Sequence, residues 1–61
     1  MKKNQIIEKI GISNKSHSDA VANAIKMVQK ENEVYWFKVS EFRGRINNNS
    51  IEYQVIVKIG I

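Results

Sequence analysis

The chain contains no cysteine, a single histidine, three scattered glycines and no long apolar run. Without cysteine there is no disulfide, no thiolate metal ligand and no thiol nucleophile. His17 is the only imidazole, so a zinc site would need carboxylates from several places. No Ser-His-Asp set has plausible mutual spacing. Glu31 and Glu33 fall where a helix should end, and Glu41 is a lone acid. Gly11, Gly44 and Gly60 lie too far apart to form a phosphate loop. No segment approaches the roughly 20 apolar residues that cross a bilayer. The start, Met1 to Gln5, has two lysines but no apolar stretch behind it long enough for a signal peptide. These absences argue against an enzyme and for a cytoplasmic protein.

What is present suits one small globular domain over residues 1–61. Apolar residues make up 43% and charged residues 26%, which is not a disordered composition. A domain of this size buries only about 60% of its unfolded surface, so its own core is marginal. With disulfides excluded, self-association is the default source of further stability. The net charge of +4 suits anionic ligands such as phosphates, and equally well serves solubility.

The periodicity predicts the order β-α-β-β. Ile6 to Ile12 is rich in β-branched residues and reads as a strand. Ser16 followed by Asp19 resembles a capping box, which starts a helix near His17. Val21, Ala24, Ile25 and Val28 form its apolar stripe, and the pattern fades over Lys30 to Glu33. Val34 to Ile46 reads as a long strand, with Gly44 marking a bulge or bend. Asn47 to Ser50 is the turn, since Asn tolerates left-handed backbone angles. Ile51 to Ile61 alternates cleanly as the last strand. The three strands should form one antiparallel sheet, with the helix over the face that carries Phe37, Val39, Val55, Val57 and Ile59. One helix covers one face only, so Trp36 and Ile56 are left on the other. An uncovered tryptophan on a sheet face marks a partner or ligand surface.

Several segments carry a family resemblance. They are Trp36-Phe37-Lys38-Val39, Arg43-Gly44-Arg45-Ile46 and Tyr53 to Gly60, with a Gly11-Ile12-Ser13 turn and the alanine-rich helix from Asp19 to Ala24. Together, in this order, they cover nearly the whole chain and make it resemble a dodecin. The resemblance implies an α+β fold in which a three-stranded antiparallel sheet wraps around one helix. It implies a hollow homododecamer that holds flavins in pairs between tryptophans of neighbouring subunits. The implied role is storage or sequestration of flavin and quenching of its photochemistry.

By that resemblance Trp36 is the stacking residue. Indole and isoalloxazine are both flat and polarisable, and offset stacking contributes roughly 0.5–1.5 kcal/mol beyond burial. The alternative is an interface tryptophan without a ligand. Gln54 matches the glutamine that pairs with the polar edge of the flavin, since an amide offers a donor and an acceptor. Its alternative is a solvated strand residue. Arg43 matches the arginine near the ribityl or phosphate end. Arg45 is a second basic candidate, with an ion pair to Glu41 or Glu52 as its alternative. In a simple hairpin Trp36 pairs near Gly60 and Gln54 pairs near Phe42 or Arg43, about 20 Å apart. A site using both then joins different subunits, or the sheet curls strongly.

The expected ligand is FMN, with riboflavin and FAD as alternatives. The chain stops at Ile61, short of an arginine-containing tail that many family members carry, which puts the choice of flavin in doubt. Lys26 and Lys30 do not clearly match residues associated with coenzyme A, so that site is not carried over. His17 reads as a solvated first-turn residue, and Lys2 and Lys3 as a frayed terminus. A second function class is a basic nucleic-acid-binding module using Tyr35, Trp36, Arg43 and Arg45, although no RNP-type motif is present. A third is a cage with an empty or differently filled site.

Overall fold

A computed structural model describes residues 5–61, so Lys2 and Lys3 lie outside the described residues. The elements are β1 (Ile6–Ser13), α1 (His17–Gln29), β2 (Trp36–Asn47) and β3 (Ser50–Gly60). This is the β-α-β-β order expected. The sheet order is β1-β3-β2, and both outer strands run antiparallel to β3. β1 and β2 are therefore parallel to each other, joined by the helical crossover, with β3 inserted between them.

Ser16 caps the helix. Its Oγ accepts the Asp19 backbone N–H at 3.0 Å, the first half of a capping box. Asp19 does not complete the box. Its carboxylate accepts from the Ser13 hydroxyl at 2.7 Å instead, and Ser13 Oγ accepts the Lys15 N–H at 2.9 Å. The shortened reach of Asp relative to Glu thus ties the end of β1 to the first turn of α1. Gly11-Ile12-Ser13 is not a turn. It continues β1, paired with Val55, Gln54 and Tyr53.

The core is Ala20, Ala24 and Val28 of α1 against Val55, Val57 and Ile59 of β3. Val21 and Ile25 flank this seam half-buried, so the stripe is centred one step from the expected one. Gly11 explains the shift. A Cβ there would collide with the Ala20 carbonyl oxygen and lie 3.0 Å from the Ala24 Cβ. Only small residues permit so close a helix–strand approach. Each of Val55, Val57 and Ile59 contributes roughly 1.5–3 kcal/mol by leaving water.

The Asn47–Ser50 pair closes the hairpin, with Asn48 and Asn49 at φ 52° and 66°. Two consecutive left-handed residues make the turn that matches the twist of a hairpin, as the asparagine run predicts. β2 differs from expectation in three ways. It begins at Trp36, not Val34. Its bulge lies between Val39 and Glu41, not at Gly44, which pairs regularly with Tyr53. The helix leaves Phe37 half exposed, because α1 packs over β1 and β3 and covers only Val39 of β2 in part.

Candidate functional site

The bulge decides what faces what. Trp36 and Lys38 pair with Gly60 and Lys58, on the sheet face away from α1. Strict alternation would then put Arg43 and Arg45 on the helix side. Ser40 is the extra residue, so Glu41 pairs with Ile56, Arg43 with Gln54 and Arg45 with Glu52. One inserted residue returns both arginines to the face of Trp36 and Gln54.

At the open end of the hairpin the Trp36 indole lies across Gly60. A Cβ at Gly60 would run into the indole Nε1, Cε2 and Cδ1. Glycine is what lets the ring lie flat on the strand, and Gly60 is buried beneath it. Trp36 as a whole remains 44% exposed, so the residue is not closed off by its own chain.

Toward the turn, four polar side chains form a connected row. Arg43 Nη2 donates to Gln54 Oε1 at 3.4 Å, and Gln54 Nε2 donates to Glu52 Oε2 at 2.8 Å. Glu52 Oε1 in turn meets Arg45 Nε at 3.5 Å. The Arg45 alternative of an ion pair with Glu52 is therefore realised, and with Arg45 well exposed it contributes at most about 1 kcal/mol. The Arg43 bond to Gln54 is long and correspondingly weak, so the Gln54 carbonyl is the readily released end of this row.

The two ends are separate. Gly60 and Gln54 are six residues apart along β3, about 20 Å at the usual strand rise. The structure brings Gln54, Arg43 and Arg45 together and leaves Trp36 apart from them.

His17 departs from its expected solvated role. Its ring sits edge-on to Phe42 at 5.2 Å and to Tyr53 at 5.0 Å. Its Nε2 is 2.7 Å from the Arg43 carbonyl oxygen. A carbonyl only accepts, so Nε2 carries the hydrogen and donates. His17 thus holds the β2 backbone at Arg43 against the start of α1. Sequence reasoning missed this contact because Phe42 faces the helix only through the bulge at Ser40.

Among the described residues, no three of His, Asp and Glu gather as a metal site, and no helix is long and apolar enough to cross a membrane.

Comparison with known proteins accords with this geometry. The dodecin family matches residues 4–61. No curated protein matches the chain. Among solved structures, an arginine-to-alanine variant of Thermus thermophilus dodecin superimposes with a TM-score of 0.90 at 30% identity, covering 100% of this chain and 93% of that one. Dodecin from Streptomyces davaonensis gives 0.87 at 30% identity, over 97% and 90% of the two chains. The calcium dodecin of Mycobacterium tuberculosis gives 0.90 over 98% and 89%, but at 19% identity it shares only the fold. With the family matched over all but the first three residues and the β-α-β-β architecture shared throughout, the chain belongs to the dodecin family.

Proposed function

We propose that this protein is a flavin-binding storage or sequestration protein, not a catalyst, and that it works as a hollow homododecamer. The observation that carries the reading is the indole of half-exposed Trp36 laid on Gly60, about 20 Å along the sheet from the Gln54 amide. A flavin stacked on the indole of one chain reaches an amide like Gln54 only if another chain supplies it. The site is therefore built where copies meet. Trp36 supplies the stacking face, and Gln54 a donor and an acceptor for the polar edge of the ring. Arg43, and less directly the Glu52-bound Arg45, lie beside that amide.

The exposed apolar residues favour assembly. Phe42 and Ile46 are 63% and 70% exposed, and such a surface is unusual on a protein that remains alone. The nucleic-acid alternative is less well supported, because the chain has no RNP-type motif and Arg43 and Arg45 lie about 20 Å from Trp36.

Titration with riboflavin and FMN tests the reading. Flavin fluorescence should be quenched on mixing, and the native mass should correspond to about twelve chains by family analogy. Trp36→Ala should weaken both flavins by tenfold or more, a loss of about 1.4 kcal/mol, while the particle mass is kept. A particle that binds flavin equally well without the indole removes Trp36 from the site.

A further inference from the structure

The polar row on the outer face of the hairpin has a support on the other side of the sheet. Gln54 is the direct partner of Arg43 across β3 and β2. On the helix side, beneath this pair, the half-buried His17 ring touches both strands. It stands edge-on to Phe42, the neighbour of Arg43, and to Tyr53, the neighbour of Gln54. Its Nε2–H donates to the Arg43 carbonyl oxygen at 2.7 Å.

This half of β2 has no place in the core. Past the bulge none of Glu41 to Asn47 joins it, and the β2 residue packed against it is Val39. Among the described residues, the His17 bond is the only hydrogen bond between α1 and β2. Its other end is firmly seated. His17 is the first residue of α1, whose opening turn is capped by Ser16 and tied to the end of β1 by the Ser13–Asp19 bond.

The contact matters most when a ligand is bound. A flavin N–H that reaches the Gln54 Oε1 competes with Arg43 Nη2, whose bond there is already stretched to 3.4 Å. The side-chain link between the two strands is then lost, and Glu52 holds the amide from one side only. The His17 bond acts on the backbone and survives the exchange. A polar group discriminates well only when the element that carries it is held in place.

We infer that His17 is a positioning residue for the polar edge of the flavin: it fixes the β2–β3 pair that carries Arg43 and Gln54, and so sets how sharply Gln54 reads that edge. The inference rests on the flavin reading above, in which Gln54 pairs with the ring. Within the chain His17 lies on the opposite side of the sheet and acts through the strands, not on the ligand.

The test is a fluorescence titration of the assembled protein with riboflavin and with riboflavin methylated at N3, which keeps the stacking ring but lacks the N–H at its edge. Wild type should bind riboflavin about tenfold more tightly, because the methylated ligand leaves the Gln54 oxygen unpaired. His17→Phe keeps a ring beside Phe42 and Tyr53 but removes the donor. It should cut the preference to about threefold or less, with affinity for the methylated flavin kept within about twofold. His17→Gln presents an amide N–H in place of Nε2–H and should restore most of the preference. In a Gln54→Ala background His17→Phe should have no further effect. Particle mass and thermal melt accompany each titration, and His17→Leu serves as the donor-free variant if His17→Phe fails to assemble. A preference unchanged without the donor overturns the inference. Equal weakening of both ligands does so too, since that is what a merely structural role produces. So does a loss that His17→Gln does not restore, or one that persists in the Gln54→Ala background. A wild type that binds both ligands equally removes Gln54 from the edge, and the role of His17 with it. A wild type that binds neither flavin overturns the flavin reading itself, an outcome distinct from these.

Discussion

β2 and β3 are alike in length and opposite in environment. β3 is the central strand and buries Val55, Val57 and Ile59 completely. β2 is an edge strand and leaves Phe37, Phe42 and Ile46 at least half exposed, with only Val39 partly covered. A solitary protein normally protects an edge strand with charge or covers it. Here the chain folds around β3 and leaves β2 for something else. The difference teaches that the single chain completes its core around β3, and that β2 carries apolar surface which the proposed assembly would cover.

The sharpest way to break the comparison is to attack the fold at its closest approach. Gly11→Val places side-chain atoms against the Ala20 backbone carbonyl, which cannot move without displacing the helix. Overpacking costs typically 1–3 kcal/mol and more where backbone must shift. In a domain this small that is most of the stability. The expected outcome is a chain without a cooperative thermal transition by circular dichroism. A normal melt would show that the helix can be lifted from β1 at little cost.

The next pair of variants sets the two strands against each other. Ile59→Ala empties a fully buried site on β3 and should cost about 2–5 kcal/mol. Phe42→Ser on β2 removes a larger side chain from a 63% exposed site. It should leave helix content unchanged while shifting the mass distribution by ultracentrifugation toward smaller species, with a melting temperature that now depends on protein concentration. If Phe42→Ser is as damaging as Ile59→Ala at every concentration, β2 contributes to the single-chain core and the contrast fails.

How much of this the sequence disclosed follows the same division. The alternation of β3, the Ser16 cap and the asparagine turn depend on local rules, and all three stand where those rules put them. The seam at Ala20 depends on the close approach of Gly11, a contact between distant segments that periodicity cannot show. The bulge at Ser40 has no glycine or other local signal, yet it fixes the face of every later β2 residue. That is why Trp36 and Gln54 could be placed on one face by parity, while the roles of Phe42 and His17 could not. The likeness to dodecins supplied the pairing of Trp36 with a flavin. No spacing within the chain carries that information.

A smaller effect is expected at Gly60. In Gly60→Ala the added methyl would strike an indole ring, not backbone, so the ring can lift away. Stability should change by less than about 1 kcal/mol, since alanine also restricts the unfolded chain. Flavin affinity should nevertheless fall severalfold, because the stacking surface is tilted. Tryptophan emission and flavin titration on the same sample read both effects. Unchanged affinity would show that the indole need not lie flat on β3.

The smallest change expected is a gain. Lys38→Glu converts the opposed lysines into an opposite-charge pair across β2 and β3. Without ligand it should raise stability by about 0.2–1 kcal/mol, a shift of a few degrees in the melt. The sign matters more than the size. Lys58 would then lie between two carboxylates, Glu8 on β1 and the new one on β2. If the variant is no more stable than the wild type without ligand, the two ammonium groups avoid each other in solvent, and the electrostatic contrast between the two ends of the hairpin is weaker than their pairing implies.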